Sequence, residues 1–423
     1  MTNIGGPSSD TYCFSSFLSS PLVPLLPIIP PSLALSYSAS VQAFQACWHD
    51  SSWTAHARSV VGRAALVAVA AVSSVGIRSG KGRGLHHTGN LFAVGGSIVS
   101  AVISAWLVKR TRQIYIQGPR AELAEGSLDG RVVLITGCNT GIGYETAKQL
   151  YDAGATIVLG CRSKSRAMEA MYSIIESTSC MKPDRKRLIF LQIDVSDLSS
   201  VRLAAKTFKD MSLPLHTLVL NAGIMMSEQR ESVDGFELMM ACNHLGHFLL
   251  TSLLMPLLQA ADDARVIVLT SSTYTLAKPG GIDLNDMQCR KRKYTMFSQY
   301  AQTKLANILF VKELARREQK RFATSEVKAY AVHPGLVRTD VVRNMPWYLY
   351  YPNIIFGFAV ATLQKTSEAG AWTSVWCATS AELGTESGNY YANSRQEKVD
   401  DVANDDVAAS RLWELSEKLV GVQ

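Results

Sequence analysis

A glycine-rich turn between an apolar run and a helix-like stretch restricts the fold of this chain most strongly. The apolar residues 132–135 lead into Thr-Gly-Cys-Asn-Thr-Gly-Ile-Gly at 136–143, and residues 144–150 then have a helical pattern. Glycines allow close approach of the backbone to a pyrophosphate, and a helix start supplies free N–H groups for it. Taken alone, such a triplet is also compatible with an ordinary turn. The order strand, turn, helix instead predicts a dinucleotide site that includes Gly137, Asn139, Thr140, Gly141, Ile142 and Gly143.

From residue 129 onward, predicted strands and helices alternate along the chain. This pattern predicts an α/β fold: a Rossmann-type, doubly wound parallel sheet of about seven strands with helices on both faces. We predict strands at 131–136, 156–160, 188–193, 217–220, 265–271 and 327–332, with a short last strand near 390–391. The predicted helices include 144–153, 199–210, 236–258 and 297–318. Ligands of such a sheet bind at the carboxyl ends of its strands.

Two residues four positions apart in a predicted helix indicate acid–base chemistry. Tyr300 and Lys304 lie on one face of that helix, so the ammonium group can sit beside the phenol. An adjacent cation favours phenolate, and the spacing therefore predicts a lowered pKa and a proton shuttle at Tyr300. The spacing by itself is also compatible with a solvated tyrosine and lysine on an exposed helix that have no catalytic role. The serine pair Ser271 and Ser272, at the predicted end of the fifth strand, favours the catalytic interpretation.

With Asn221-Ala222-Gly223 and His333-Pro334-Gly335 in the same order, the chain resembles the short-chain dehydrogenase/reductase family over about residues 128–420. The segments 215–216, 221–226, 243–251 and 368–374 look like its retinol dehydrogenase branch. Members of that branch act on lipophilic alcohols and aldehydes, commonly at membranes. The resemblance implies an enzyme that transfers a hydride between a nicotinamide and a lipophilic alcohol, aldehyde or ketone of retinoid, steroid or polyprenol type.

The resemblance also implies roles for single residues. Tyr300 would transfer the proton, Lys304 would hold the nicotinamide ribose, and Asn243 would keep a water beside that lysine. A serine would hydrogen-bond the substrate oxygen. Counting along the fifth strand favours Ser271 for this role, whereas matching the serine pair itself favours Ser272. The remaining cofactor contacts carried over from the family are Asp194, Val195, Asn221, Ala222, Gly223, Pro334, Gly335 and Thr339.

The end of the second predicted strand indicates which dinucleotide is used. A carboxylate there would bind the ribose hydroxyls of NAD, and residues 160–164 contain none. Arg162 can instead hold a 2′-phosphate with its forked donors, helped by Ser163 or Lys164. The sequence therefore predicts NADP(H), with NAD(H) as the alternative if Arg162 belongs to an unselective exposed loop.

The basic character of the chain lies entirely in its first part. Residues 1–120 contain nine Lys or Arg and two acidic residues, a surplus of seven that equals the net charge of +7 of the whole chain. The remainder is formally neutral, so the charge does not indicate nucleic-acid binding. The eight cysteines form no C-x-x-C pair, and His244 and His247 lack a nearby third ligand, so we predict no metal site.

We divide the chain into three parts: a disordered Ser/Pro-rich leader at 1–57, a basic, apolar extension at 58–125, and the catalytic domain at 126–423. Residues 91–108 carry no charge and precede a basic cluster at 109–112. As a helix they would be roughly 27 Å long, close to the hydrocarbon thickness of a bilayer. This segment is our candidate membrane helix, and a helix packed on the catalytic domain is the alternative.

A second uncharged segment, 345–363, is rich in aromatic residues, and we predict a substrate lid there, with a dimer contact or core helix as the alternative. The expected partners are a small apolar alcohol or carbonyl substrate and a membrane, with a homodimer left open. The endoplasmic reticulum is the favoured location, and a mitochondrion or plastid is the alternative. A catalytically idle NADP(H)-binding interaction protein is the alternative function.

Overall fold

The computed structural model describes residues 117–121, 123–321, 327–337 and 364–422. The predicted leader at 1–57, the candidate membrane helix at 91–108, the segment 345–363 and Thr339 lie outside the described residues.

Eight strands form one sheet in the order β3-β2-β1-β4-β5-β6-β7-β8. They are β1 (Val132–Thr136), β2 (Thr156–Cys161), β3 (Leu188–Gln192), β4 (Thr217–Leu220), β5 (Arg265–Leu269), β6 (Lys328–His333), β7 (Asn389–Ala392) and β8 (Arg395–Gln396). All neighbours from β3 to β7 pair in parallel, which confirms the predicted doubly wound parallel sheet. The two-residue β8 adds an antiparallel edge that the sequence did not predict, because two residues carry no alternation pattern.

Seven helices follow in chain order within the described residues. They are α1 (Gly141–Asp152), α2 (Lys164–Ser177), α3 (Leu198–Asp210), α4 (Leu238–Ala260), α5 (Met296–Arg321), α6 (Ser367–Thr379) and α7 (Asp406–Val420). Alternate residues of each strand face opposite sides of the sheet. Val133 and Ile135 therefore pack with α1, α2 and α6, whereas Val132 and Leu134 pack with α3, α4, α5 and α7.

Helix α4 combines great length with an irregular start. It opens with Leu238–Met240, continues as a π-helical turn over Ala241–Leu245, and becomes α-helical at Gly246. Within the described residues it is also the one helix long and apolar enough to cross a membrane, but 83% of its apolar window is buried in the protein. Its apolar composition is thus accounted for by packing against the sheet.

Gly246 sets the distance between α4 and the loop after β3. A Cβ atom at this position would overlap the carbonyl oxygen of Val195. The absence of a side chain lets the loop lie directly on the helix. The predicted cofactor residues Asp194 and Val195 are thereby held at the carboxyl edge of the sheet, next to the π-helical turn.

Candidate active site

The glycine-rich turn is tied to the end of β4 by an asparagine side chain. Asn221 donates from Nδ2 to the carbonyl oxygens of Thr136, at 2.8 Å, and Gly137, at 3.0 Å. Gly137 has φ +64°, and a Cβ there would lie 2.9 Å from the Cα of Ala222. Only glycine allows this approach, and so the structure brings the predicted cofactor segments at 137–143 and 221–223 together.

The first turn of α1 is free to receive an anion. Thr140 occupies its N-cap position without a side-chain cap, whereas α2, α3, α6 and α7 are capped by side chains. A Cβ at Gly143 would lie 2.6 Å from the carbonyl oxygen of Gly137, which keeps the helix start bare. Free N–H groups at a helix start bind phosphate, so this turn fits the pyrophosphate of a dinucleotide.

A buried hydroxyl and an imidazole connect this turn to α4. Oγ1 of Thr136 accepts the backbone N–H groups of Asn221 and Ala222, both at 3.0 Å, and lies 2.9 Å from Nε2 of His247. Nδ1 of His247 is 3.3 Å from the carbonyl oxygen of Asn243, to which it must donate. Nε2 is then the acceptor of the Thr136 hydroxyl. Burial lowers the pKa of His247 to about 3, which keeps the imidazole neutral in this arrangement.

Lys304 lies buried at the carboxyl end of β5. Its side chain is 4% exposed, and Nζ donates to the carbonyl oxygen of Leu269 at 3.1 Å. Nδ2 of Asn307 donates to the same oxygen at 3.0 Å, and Oγ1 of Thr270 donates to the Lys304 carbonyl oxygen at 2.8 Å. Burial lowers the pKa of Lys304 from 10.5 to about 8.

Tyr300 lies one helical turn before Lys304, as predicted from the spacing. Nζ of Lys304 is 5.4 Å from the centroid of the phenol ring. Burial raises the pKa of Tyr300, which is opposite to the direction expected from the neighbouring cation. The reason is that the partly buried phenol packs against apolar side chains, while the ammonium group donates to the main-chain oxygen of Leu269. The described site therefore favours a neutral phenol.

Asn243 lies in the π-helical turn and faces Lys304 across Gly223. Its Nδ2 donates to the carbonyl oxygen of Ile224 and to Oγ1 of Thr303, both at 3.0 Å, and its Oδ1 accepts the Ile224 N–H at 2.8 Å. A Cβ on Gly223 would lie 3.4 Å from that Oδ1 and 3.6 Å from Nζ of Lys304. The structure thus brings Asn243, Gly223 and Lys304 together, and π-helical turns often mark functional sites.

The two serines after β5 have different environments. Ser271 caps the short 3₁₀ helix Ser272–Ala277, and its hydroxyl oxygen accepts the N–H of Thr273 at 3.3 Å. Ser272 is exposed, and its hydroxyl has no hydrogen-bond partner among the described residues. One serine thus supports the local turn, while the hydroxyl of the other is available to a ligand.

The predicted specificity residue Arg162 directly follows β2. Its side chain is 78% exposed, and Nη1 lies 3.5 Å from a carboxylate oxygen of Asp194. The hydroxyl of Ser163 already caps α2, because its oxygen accepts the N–H of Arg166. The ends of β2 and β3 thus bring Arg162 and Asp194 together and leave most of the guanidinium group accessible.

The end of β6 contains the segment His333-Pro334-Gly335 and a buried lysine that the sequence analysis did not identify. Gly335 has φ +89°, and a Cβ there would lie 2.8 Å from Cε of Lys365. Lys365 is 5% exposed, and its Nζ donates to Oδ1 of Asn393 at 2.8 Å. Among the described residues no carboxylate lies within 4.0 Å of this ammonium group. A buried cation therefore flanks the predicted cofactor segment.

The phenol of Tyr300 packs against a cluster of methionines. Met225, Met239 and Met296 form a small buried cluster, against which Tyr294 and Tyr300 pack. The hydroxyl of Tyr294 donates to the carbonyl oxygen of Met226 at 2.8 Å. Methionine side chains are flexible and adapt to irregular apolar shapes. The group next to the phenol is thus apolar and adaptable.

Comparisons with known proteins agree with this geometry. The short chain dehydrogenase family model matches residues 131–282. Retinol dehydrogenase 12 of Homo sapiens is 37% identical over 301 residues, which cover 70% of this chain and 88% of that protein. The chain belongs to the short-chain dehydrogenase/reductase family. It is an oxidoreductase of CH–OH groups, in a family that uses nicotinamide cofactors.

Two further similarities extend over most of the chain. Retinol dehydrogenase 14 of Mus musculus is 34% identical over 345 residues, covering 77% of this chain and 98% of that protein. The crystal structure of an uncharacterised protein from Mycobacterium paratuberculosis is 30% identical with a TM-score of 0.55 and covers 72% of this chain and 98% of its own. The retinol dehydrogenase-like resemblance predicted from the motifs is thereby confirmed.

Three participants in the site were missed by the sequence analysis. Thr136 was treated only as part of the turn, His247 was considered only as a possible metal ligand, and Lys365 was not considered. His247 lies four residues after Asn243, on the same helix face, which is a signal that could have connected them. Lys365 gave no such signal, because its position depends on a contact between segments 30 residues apart in sequence.

The burial of Lys304 predicts a pH-dependent gain of stability in the variant Lys304→Met. Below pH 8 Lys304 is charged in the folded parent, and burial of this charge destabilises the folded state fully. The destabilisation disappears towards pH 10.5, where the lysine of the unfolded chain also loses its proton. The variant should be more stable by about 2–3 kcal/mol at pH 6.5, and the difference should shrink above pH 8. In the variant, the side chain of Asn307 still donates a hydrogen bond to the carbonyl oxygen of Leu269. Urea unfolding between pH 6.5 and 10 measures this.

The control is Lys206→Met, which removes an exposed lysine paired with Asp210. Its stability should differ from the parent by less than about 1 kcal/mol over this pH range. A difference for Lys304→Met that stays constant between pH 6.5 and 10 would show that the lysine is not penalised by burial.

Proposed function

We propose that this protein is an NADP(H)-dependent oxidoreductase that interconverts lipophilic alcohols with their aldehydes or ketones. The observation that carries the proposal is the convergence of Lys304, Gly223 and Asn243 beside Tyr300, at the edge where the glycine-rich turn presents a bare helix start. Proton transfer and dinucleotide binding thus share one edge of the sheet.

The residues have distinct parts in the reaction. A bound nicotinamide supplies or accepts the hydride at the carbinol carbon. Tyr300 transfers the proton at the substrate oxygen, a positioned acid–base contribution of typically about 10²- to 10⁴-fold. Lys304 holds the ribose and, with Asn243, keeps a path for the proton to solvent. Because burial raises the pKa of Tyr300, its phenol is neutral at pH 7 and carries the proton that carbonyl reduction requires.

The charges at the end of β2 support NADP(H) as the cofactor. Arg162 is the first residue beyond the strand, it is accessible, and residues 160–164 contain no carboxylate that would repel a 2′-phosphate. A guanidinium group binds phosphate through two parallel hydrogen bonds. Asp194 orients this group from β3 and contacts the adenine side of the site.

The surroundings of Tyr300 support an apolar substrate. The methionine cluster offers adaptable, uncharged surface next to the reacting phenol. The similar proteins named retinol dehydrogenase indicate the same substrate type. We therefore propose retinoid-, steroid- or polyprenol-like molecules.

Membrane association is part of the proposal. Residues 91–108 are long enough and apolar enough to anchor the chain, and the basic cluster at 109–112 follows them. Gln117, which belongs to the extension, contacts the catalytic domain. Its side chain accepts the N–H of Thr366 at 3.1 Å and donates to the carbonyl oxygen of Gln364 at 3.5 Å. We propose the endoplasmic reticulum as the location.

Tyr300→Phe tests the central assignment. Removing the phenolic hydroxyl should lower kcat by at least about 100-fold, because the proton donor is lost. NADPH binding should change by less than about 3-fold, because the ring remains in place. Turnover of all-trans-retinal with NADPH, and fluorescence titration with NADPH, measure the two quantities on the full chain in detergent.

Tyr294→Phe is the matched control, since Tyr294 packs against the same methionines and loses only a hydrogen bond to a main-chain oxygen. It should retain turnover within about 3-fold. Undiminished turnover in Tyr300→Phe would refute the proton-transfer role. Tight NADPH binding by a parent protein that reduces no apolar carbonyl would instead favour the idle, dinucleotide-binding alternative.

The serine pair provides a second test. We assign the substrate contact to Ser272, because its hydroxyl is free whereas that of Ser271 caps the following turn. Ser272→Ala should lower kcat by about 10²- to 10³-fold, the usual effect of losing one donor to a developing oxyanion. Ser271→Ala should instead lower the unfolding free energy by about 1 kcal/mol and keep most turnover. The reverse pattern would assign catalysis to Ser271.

Arg162→Asp tests the choice of cofactor. Replacing the guanidinium group with a carboxylate removes the phosphate partner and adds repulsion, so the KM for NADPH should rise by about 10- to 100-fold while that for NADH falls. Arg185→Asp is the control, because Arg185 lies before the amino end of β3, whereas Arg162 follows the carboxyl end of β2. If Arg162→Asp left the ratio of kcat/KM for the two cofactors unchanged, Arg162 would not contact the phosphate.

A further inference from the structure

Two cysteines face each other where the glycine-rich turn meets the end of β2. Cys138 lies in the turn, and Cys161 is the last residue of β2. Their Sγ atoms are 3.7 Å apart, and the residues are 0% and 2% exposed. The described residues contain six free cysteines, and no other two of these have sulfurs in contact.

We propose that Cys138 and Cys161 form a reversible disulfide under oxidation by a peroxide, and that this bridge weakens dinucleotide binding. The consequence for binding rests on the proposed function. Formation of the bridge itself does not.

The geometry requires only a small displacement of a segment that can move. A disulfide has an S–S length near 2.05 Å, so the sulfurs must approach by about 1.7 Å. Cys138 lies between Gly137 and Gly141, both with positive φ, and glycines have the widest choice of backbone conformations. The Cys138 thiol would give up its weak hydrogen bond to the carbonyl oxygen of Ile135, at 3.2 Å.

The two thiols differ in a way that suits stepwise oxidation. The Cys138 thiol, together with the backbone N–H groups of Cys138 and Asn139, stabilises a thiolate on Cys161 and lowers its pKa. Burial raises the pKa of Cys138, which stays protonated. A thiolate is the nucleophile towards peroxides. Cys161 is thus the attacking residue and Cys138 the resolving one.

The steps balance with hydrogen peroxide as the oxidant. The Cys161 thiolate attacks one peroxide oxygen, the O–O bond breaks, and hydroxide leaves, giving a sulfenic acid. The Cys138 thiol transfers its proton to that hydroxide and attacks the Cys161 sulfur, so that the S–S bond forms and a second hydroxide leaves and is protonated by solvent. Two thiols lose two electrons, and one peroxide becomes two waters.

The bridge acts on residues that bind phosphate. Moving Cys138 towards β2 also moves Asn139 and Thr140, which precede the bare start of α1. The bridge also displaces the end of β2, which Arg162 directly follows. Since the turn depends on close backbone contacts with Ala222, a shift of this size misplaces its N–H groups. Bound dinucleotide would in turn cover the thiols and slow their oxidation.

The test is peptide mapping of the full chain after treatment with hydrogen peroxide, with thiols alkylated before digestion under non-reducing conditions. A Cys138–Cys161 cross-link, 2 Da lighter than the two reduced peptides and removed by dithiothreitol, is expected. Cys138→Ala should abolish the cross-link, and Cys180→Ala should not, although Cys180 is the least buried cysteine of the described residues. Oxidation that falls on Cys180 while Cys138 and Cys161 remain alkylatable would overturn the proposal.

NADPH titration of the same samples tests the consequence. The oxidised protein should bind NADPH at least 10-fold more weakly than the reduced one, and dithiothreitol should restore binding. Prior addition of NADPH should slow the cross-link by a similar factor. A bridge that leaves NADPH affinity unchanged would overturn the regulatory part. Reduced protein that binds no NADPH at all would instead contradict the proposed function, while the peptide map still decides whether the bridge forms.

Discussion

Burial of one ammonium group at the carboxyl end of β5 constrains most of the site. Lys304 is 4% exposed, and no carboxylate lies within 4.0 Å of it in the described part of the chain. An isolated buried charge is unfavourable, as the lowered pKa of Lys304 shows. The Leu269 carbonyl oxygen accepts a hydrogen bond from it, and the bare backbone of Gly223 leaves room between it and Asn243. Any folding of the chain that displaced these groups would leave the cation without partners.

A second, neutral network holds the two ends of the site at a fixed distance. Thr136 connects the glycine-rich turn to Asn221, and His247 connects Thr136 to the carbonyl oxygen of Asn243. The glycine-rich turn and the π-helical turn therefore share one buried set of hydrogen bonds. Such networks are stable only when every member is satisfied, so they also specify a single arrangement. The glycine-rich turn and the π-helical turn therefore cannot move independently of each other.

Much of this architecture could be predicted from the sequence, because it depends on local patterns. Continuous apolar runs predicted the parallel strands, and the glycine spacing predicted a turn in which Gly137 does have positive φ. The direction of the Tyr300 pKa shift was not predictable, because it depends on methionines from three separate segments. The π-helical turn around Asn243 and the role of Lys365 also depend on contacts distant in sequence. Patterns thus identified the residues, while packing decided their protonation and orientation.

The pairing of Val337 with Lys365 has a consequence for how the domain tolerates change. These residues form an isolated parallel bridge, so they lie side by side although 27 residues separate them in the sequence. Closing a loop between fixed neighbours costs only about 0.6 kcal/mol for each doubling of its length. The free energy of this pairing therefore depends only weakly on the number of residues that separate Val337 from Lys365 in the sequence.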